Sequence, residues 1–435
     1  MSTSNTTNEA EAKESKRAPV AIVGAGLAGL LCACILERHQ IPYVVFEREA
    51  GPNLDQGDPR LEGRNVDLRD SAGIKALKEA GLFGKFKNEA KPQRVPRTKV
   101  LHDIQGRVVQ MDPSTRLPIA LKLGGSAEKK EVSRVNCATL VDFLLRQIPK
   151  KKIHWGKGVV EIGREQSQTT GLETQGWSLR FSDGTSESGF PLIVGADGAQ
   201  GRVRSLITET KLQYRDGGYG VYIYIFAYEP NPKGPVRVVV LPEVSASNDT
   251  PPERWNQAPG RFVEGLQLNL SNVEDTRKKL LNSKGLFRDY PDNLKAYIRK
   301  AEGPWRLWPL YYDSDFSIQQ FRTPGKFPRP ENWKRVPGVA LIGDAAHVLL
   351  PSGEEGANMA LQDAAELSRQ LKDLNYPYDP DGIEGAIEAY EKSMLPRAFE
   401  YIDDDLGETA HSMCATIVKI YLELYSAYGH AGDSK

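Results

Sequence analysis

The chain has 435 residues, 57 of them basic and 57 acidic, so its formal charge is zero. At roughly 150 residues per domain that length suggests about two or three domains. The charge balance argues against a generic nucleic-acid or anionic-membrane binder, and 40% hydrophobic with 26% charged residues excludes a chain disordered throughout, a collagen or a coiled coil.

The four cysteines, Cys32, Cys34, Cys137 and Cys414, make neither a disulfide scaffold nor a zinc-ligand spacing. They fit a reducing compartment. Met1 to Arg17 reads as a disordered tail: it lacks the apolar core of a signal peptide, and its three glutamates argue against a transit peptide. No apolar run is long enough for a membrane span. The expectation is a cytoplasmic protein with no nucleic-acid partner and no bound metal.

Order is expected from Ala18. Val20–Val23 is a short apolar run, as a buried parallel strand should be. It leads into Gly24-Ala-Gly26-Leu-Ala-Gly29, then a helix-compatible stretch from Leu30 to Arg38. A second apolar run, Ile41 to Phe46, ends in Glu47, 23 residues beyond Gly24, with Arg48 after it. Strand, glycine turn, helix, strand and acid together form the dinucleotide fingerprint in its required context. Gly24 permits the tight turn, Gly26 lets backbone approach a pyrophosphate, and Gly29 lets helix pack on strand. The helix N-terminus offers free N–H groups to the phosphates, and Glu47 offers an acceptor to ribose hydroxyls. Cys32 and Cys34 fall inside the helix and read as packing residues.

Leu192 to Val194 is a further strand, followed by Gly195-Ala-Asp197-Gly198 and then Gly201-Arg202-Val-Arg204. The middle of the chain predicts a mostly antiparallel sheet. Val221 to Tyr228 alternates strictly, which puts Tyr222, Tyr224, Phe226 and Tyr228 on one face. Val236 to Leu241, the Leu266/Leu268/Leu270 alternation and Trp305 to Tyr312 give further strand signals. Val339 to Ile342 is another strand; it ends in Gly343-Asp344-Ala-Ala-His347. A loop, Pro351-Ser-Gly-Glu354-Glu355-Gly356-Ala357-Asn358, then enters a helix running past Asp363 toward Leu371. Gly382 to about Tyr428 has helical spacing, and the strongly apolar Ile417 to Tyr428 reads as a bridging helix or as a cover for a partner subunit. No nucleophilic triad is suggested, and His347 reads as a structural hydrogen-bonding residue.

These three glycine- and aspartate-bearing segments, in this order from about Val20 to about Leu371, resemble the single-component (class A) FAD-dependent monooxygenases, which include aromatic hydroxylases and tetracycline-inactivating hydroxylases. The resemblance implies an α/β fold: a Rossmann-like FAD-binding domain of the GxGxxG type interleaved with a mostly antiparallel β-sheet substrate domain, plus C-terminal helices. The FAD-binding parts would be residues 18–90, 131–210 and 331–375, the substrate parts 91–130 and 211–330, and the C-terminal helices 376–435. The function implied is FAD-dependent monooxygenation with NAD(P)H and O2. An aromatic or polycyclic small molecule of secondary metabolism would be hydroxylated or epoxidised through a flavin C4a-hydroperoxide, with no catalytic protein nucleophile. A flavin oxidase or reductase on the same scaffold is the alternative. A non-enzymatic escort protein is a weaker one, because such proteins lack an intact pyrophosphate loop.

The resemblance also implies roles for residues. Gly24, Gly26, Gly29 and Glu47, with Arg48, would hold the ADP half of FAD, and Asp344 the ribityl chain. Gly63 and the loop ending in Gly356, Ala357 and Asn358 would lie beside the flavin ring. Asp197 and Gly198 match a segment shared between FAD and nicotinamide. Arg202 and Arg204 would hold a pyridine nucleotide or be surface charges. Cys137 stands where the family carries a cofactor-contacting arginine; it is a packing residue or a flavin-reactive thiol. Arg134, three residues earlier, would substitute for that arginine or be a surface residue. Tyr222, Tyr224 and Phe226 would line the substrate cavity or pack. Glu354 and Glu355 suit a helix N-terminus but oppose added negative charge on the flavin.

Overall fold

The computed structural model describes residues 18–52, 65–97, 101–103, 108–111, 118–120, 130–165, 176–210, 213–214, 221–227, 238–240, 243–244, 267–269, 272–283, 288, 291–300, 306–309, 311–312, 329–349, 355–374, 379–412, 417–418 and 421–422. The chain forms two compact units, each drawn from three stretches: Met1–Val95, Val132–Leu212 and Asp313–Asp403 in one, Pro96–Glu131, Gln213–Tyr312 and Asp404–Lys435 in the other.

The first unit begins with β1 (Val20–Val23), α1 (Leu27–Arg38), β2 (Tyr43–Glu47), β3 (Asn65–Leu68), α2 (Gly73–Glu79), α3 (Phe83–Glu89) and β4 (Gln93–Arg97). Its second stretch carries β5 (Lys130–Asn136), α4 (Cys137–Leu145), β6 (Ile153–Trp155), β7 (Val159–Glu165), β8 (Gly176–Phe181), β9 (Ser186–Phe190), β10 (Ile193–Gly195) and α5 (Arg204–Ile207). The third carries β11 (Val339–Leu341), α6 (Gly356–Lys372) and most of α7 (Pro380–Ser412), whose residues from 404 on fall in the other unit.

The core is a parallel sheet in the order β11-β10-β1-β2-β6. Its register pairs Val20 with Tyr43, Ala21 with Ile193, Ile193 with Val339, and Val45 with Ile153. β1 is central and at most 4% exposed, as an all-apolar strand covered on both faces must be. The chain leaves β1 for β2 on one side, while β10 lies on the other. Such a reversal opens a crevice at the carboxyl ends of the strands.

α1 is apolar nearly all round because it packs against α4 and α6 as well as against the sheet. Its two thiols are packed: the Cys34 Sγ donates to the Leu144 carbonyl at 3.5 Å, and the Ser368 hydroxyl to Cys32 Sγ at 3.5 Å. Burial pushes the Cys32 thiol up to about 11 and raises that of Cys34 as well, so neither offers a thiolate. α2 ends in the Ala80-Gly81-Leu82 stop. Gly81 takes φ +70° and donates to the Lys78 carbonyl, and Leu82 donates to that of Leu77, which closes the helix as a Schellman turn. β7, β8 and β9 form an antiparallel meander. It meets the end of β2 through aromatic packing, with Phe46 centred 4.8 Å from Phe181 and 5.8 Å from Phe190.

The second unit is antiparallel. Val221–Ala227 pairs with Val238–Val240, Glu243–Val244 and Arg306–Pro309, and Val238–Val240 pairs in turn with Tyr421–Leu422. A second sheet joins Ile417–Val418, Leu101–Asp103, Val108–Met111 and Pro118–Ala120. The sequence reading differs at two places. Residues 267–269, the described part of the Leu266/Leu268/Leu270 alternation, are not in a strand, and Gln267 is a turn residue at φ +52°. The described residues of the apolar run from Ile417 are strand, not helix: the helix is Pro380–Ser412, and Ile417–Val418 and Tyr421–Leu422 add to two sheet edges. A β-branched, aromatic run fits a pleated edge as readily as a helix face, and the partner strands decide. Among the described residues no helix is long and apolar enough to cross a membrane.

Gly195 ends β10 with no room for a side chain: a Cβ there would lie 2.7 Å from Val203 Cβ and 2.8 Å from Leu341 Cδ2. Gly195→Ala should therefore lower stability by about 1–3 kcal/mol through overpacking. Urea unfolding would show a lower midpoint at unchanged slope.

Candidate functional site

Four strand ends converge at the carboxyl edge of the parallel sheet: β1 runs into Gly24, β2 ends in Glu47, β10 leads to Asp197 and β11 to Asp344. At the first, Gly24 takes φ +107°, and a Cβ on it would lie 2.3 Å from the Ala196 carbonyl oxygen. A Cβ on Gly29 would lie 2.0 Å from the Gly24 oxygen. Both positions are closed by the protein's own backbone. Gly26 differs: among the described residues no atom lies within 4 Å of where its Cβ would stand. It is also the N-cap of α1, with no side-chain cap and no acidic residue in the first turn. The helix thus presents uncapped N–H groups to an open, positively polarised cradle, which is what a pyrophosphate requires.

Glu47 holds this turn in place. One carboxylate oxygen accepts from Ala25 N–H at 2.7 Å and the other from Glu49 N–H at 3.1 Å. Each oxygen keeps a further lone pair. Arg48 is largely exposed and sits 3.4 Å from the Glu49 carboxylate.

Asp197 folds back on its own loop. Its Oδ2 accepts from Val203 N–H at 3.0 Å, and Gly201 is required beside it because a Cβ would lie 2.0 Å from Oδ1. That Oδ1 is buried and has no hydrogen-bond partner among the described residues. Burial pushes the Asp197 carboxyl up to about 6, against backbone N–H donation from Val203 and Arg202. Arg202 is exposed. Arg204 is not a surface charge: it is 4% exposed, and its guanidinium donates to the Ala345 and Ala346 carbonyls at 3.1 and 3.3 Å.

Those carbonyls end the third turn, Gly343–Ala345 with Ala346 as its cap, where Asp344 is exposed between buried neighbours. A Cβ on Gly343 would lie 3.2 Å from Ala28 Cβ and 3.3 Å from Ala360 Cβ, so the turn is wedged between α1 and α6. His347, 1% exposed, donates from Nε2 to Asp363 at 2.6 Å and is the buried hydrogen-bonding residue its sequence context suggests.

At the N-terminus of α6, Gly356 faces open space and Ala357 is half-buried. Asn358 is a correction. It is fully buried: its Oδ1 accepts from Arg69 and Gly73 N–H at 2.9 and 3.1 Å, and its Nδ2 donates to the Asp67 carbonyl at 2.9 Å. It pins α6 to the segment after β3 through these side-chain hydrogen bonds to backbone. Arg134 is a second correction. It makes a bidentate pair with Asp67 at 2.6 Å for both bonds, both side chains being under 10% exposed. The register explains this, because Asp67 and Arg134 face each other across β3 and β5. Cys137 is 4% exposed and starts α4 behind the Asn136 cap, the packing position of the two readings. Glu355, also buried, pairs with Arg69, which neutralises its charge. Gly63 and residues 351–354 lie outside the described residues. Tyr222, Tyr224 and Phe226 lie on the Val221–Ala227 strand, but their side chains lie outside what is described. Asp67, Arg69 and Arg397 were not singled out from sequence. Their partners lie far along the chain, so no local spacing announces them.

Comparison with known proteins accords with this geometry. Residues 22–72 match an NAD(P)-binding Rossmann-like domain and residues 331–404 an FAD binding domain. The chain is 27% identical to monooxygenase asqM of Emericella nidulans, over 94% of this chain and 97% of that protein. It is 26% identical to kynurenine 3-monooxygenase of Salinispora tropica, over 92% and 82% of the two chains. Its fold matches that of Klebsiella pneumoniae HpxO, solved with FAD and uric acid, at TM-score 0.55 and 17% identity, over 91% of this chain and 89% of that one. Over nearly its whole length the chain is thus similar to FAD-dependent monooxygenases. It is an oxidoreductase with FAD as cofactor, and the open Gly26 cradle and exposed Asp344 fit that group.

Two outcomes follow from the geometry. Gly26→Ala should leave the apoprotein within about 1 kcal/mol of wild type, the loss of a glycine N-cap being small, yet weaken FAD binding. Gly29→Ala should instead destabilise the apoprotein itself; thermal melts and FAD titrations separate the two. Asp197, with a folded value near 6, binds its proton more tightly when folded. Apoprotein stability should therefore fall as pH rises from ~4 to ~6 and level off above, and Asp197→Asn should flatten that slope in urea titrations.

Proposed function

We propose that this chain uses NAD(P)H and O2 to place one oxygen atom on an aromatic or polycyclic small molecule, by hydroxylation or epoxidation. The observation that carries this is the alignment, along one sheet edge, of an open phosphate cradle at Gly26, an acceptor at Glu47 and an exposed carboxylate at Asp344. That order suits the pyrophosphate, adenosine ribose and ribityl chain of one extended dinucleotide. FAD, when bound and reduced, supplies the redox chemistry and the activation of O2.

The protein's own residues bind and orient. The α1 N-terminus receives the pyrophosphate. Glu47, held by Ala25 and Glu49 N–H, turns its remaining lone pairs to ribose hydroxyls. Asp344 accepts from the ribityl hydroxyls. Gly356 and Ala357 bring the N-terminus of α6, and its positive dipole end, toward the flavin ring. The pairing of Glu355 with Arg69 compensates that carboxylate at the dipole end. Asp197 and Gly198 lie at the nicotinamide end. The aromatic substrate class is supported by the relative whose name carries kynurenine and by the Tyr222, Tyr224, Phe226 alternation.

A flavin oxidase or reductase would consume NAD(P)H without adding oxygen. NAD(P)H oxidation across a panel of aromatic and alkaloid compounds, followed by mass spectrometry, decides between the readings. A product heavier by one oxygen atom is expected; turnover with no such product from any compound would favour the alternative. Asp344→Ala is expected to lose FAD, and a purified variant that keeps stoichiometric yellow cofactor would contradict the role given to Asp344.

A further inference from the structure

Asp363 lies on α6, is wholly buried, and takes no part in the binding roles given above. Three donors from three places converge on it. Gly343 N–H donates to Oδ2 at 2.9 Å, and His347 Nε2 to the same oxygen at 2.6 Å. Arg397, from α7, donates to Oδ1 at 2.8 Å. Because the carboxylate is acceptor-only, His347 must carry its proton on Nε2. Burial alone would raise the Asp363 carboxyl, but His347, Arg397 and the Gly343 N–H more than offset it and hold it below the usual range.

Gly343 and His347 bracket the turn that exposes Asp344. The same turn is gripped on its other side by Arg204, which takes the Ala345 and Ala346 carbonyls. It is wedged as well between Ala28 of α1 and Ala360 of α6. Asp344 itself is the exposed residue of a turn whose backbone is tied on both flanks.

A buried carboxylate is an expensive way to join two helices, since apolar side chains of similar volume do that as well or better. What a carboxylate adds is direction. Its two oxygens fix where Gly343 N–H and His347 stand relative to α6, and Arg397 fixes the carboxylate in turn. We propose that Asp363 is a positioning residue for the cofactor: with Arg397 of α7 it locks the Gly343–His347 turn and so sets the pose in which Asp344 meets FAD. The proposal rests on the assignment of Asp344 to FAD and extends it inward to α7, whose Arg397 then bears on cofactor affinity without touching the cofactor.

The test is a double-mutant cycle on FAD binding, read by flavin fluorescence quenching on apoprotein, with far-UV circular dichroism to confirm folding. Asp344→Asn and Asp363→Asn should each weaken FAD binding by about tenfold, the scale of one charge-assisted hydrogen bond. The double variant should bind about as weakly as the weaker single, not with the roughly hundredfold loss of independent sites. A residue that only supports the fold would give additive losses, and additivity overturns the proposal, as does wild-type affinity in Asp363→Asn. Should Asp363→Asn fail to fold, Arg397→Gln, at a partly exposed position, runs the same cycle against Asp344→Asn with the same two outcomes. Wild-type FAD affinity in Asp344→Asn overturns the assignment of Asp344, and the proposal with it. Wild-type affinity in Asp363→Asn and Arg397→Gln alone overturns only the positioning role.

Discussion

The close approach of backbone to backbone at the carboxyl edge of the parallel sheet governs the rest of the structure. Gly24 and Gly29 have no Cβ because the Ala196 carbonyl and the Gly24 carbonyl occupy that space. This contact sets how deep α1 sits against β1 and β10. With α1 seated so low, its N-terminal N–H groups open at the sheet edge, where a phosphate can reach them. Gly343 repeats the condition one motif later, wedged between α1 and α6. Gly26 and Gly356 are the exceptions, since among the described residues nothing occupies their side-chain space. The glycines thus divide into those that close the fold and those that leave it open.

Around this edge the buried charges work in local groups. Asp67 with Arg134, Glu355 with Arg69, and Asp363 with His347 and Arg397 each join segments remote in sequence. Placing these ions out of water is costly, and that cost is offset by the paired geometry. Arg134 and Asp67 meet both oxygens and two guanidinium nitrogens; Asp363 receives three donors. The overall charge balance says little about this arrangement. What matters is that the cations sit where carbonyls and carboxylates would otherwise be unpaired.

The division of labour in the functional reading follows from these two facts. The protein supplies a cradle, acceptors at fixed distances and a rigid frame behind them; the redox chemistry belongs to the cofactor. Residues that looked like ligand contacts by motif, Asn358 and Arg134, serve the frame. Arg204, which looked like a nucleotide contact or a surface charge, also serves it. A motif can persist because one residue meets the ligand and its neighbours hold that residue in place.

The sequence alone determined the strand, turn, helix and strand from Val20 to Glu47, the strand ends at Gly195 and Gly343, and the parallel-sheet class. These are legible because short apolar runs, glycine turns and helical spacing are local, and local backbone geometry is written in adjacent residues. It could not determine which polar side chains face a ligand. That depended on register, as when β3 and β5 set Asp67 opposite Arg134, and on packing, as when α7 brought Arg397 to Asp363. Nor could it tell that the run from Ile417 joins two sheet edges, since a strand so short takes its identity from its partner. Only the tertiary structure decided these points, because a buried polar group is satisfied by whatever the fold places within about 3 Å of it, however far away that partner lies in the chain.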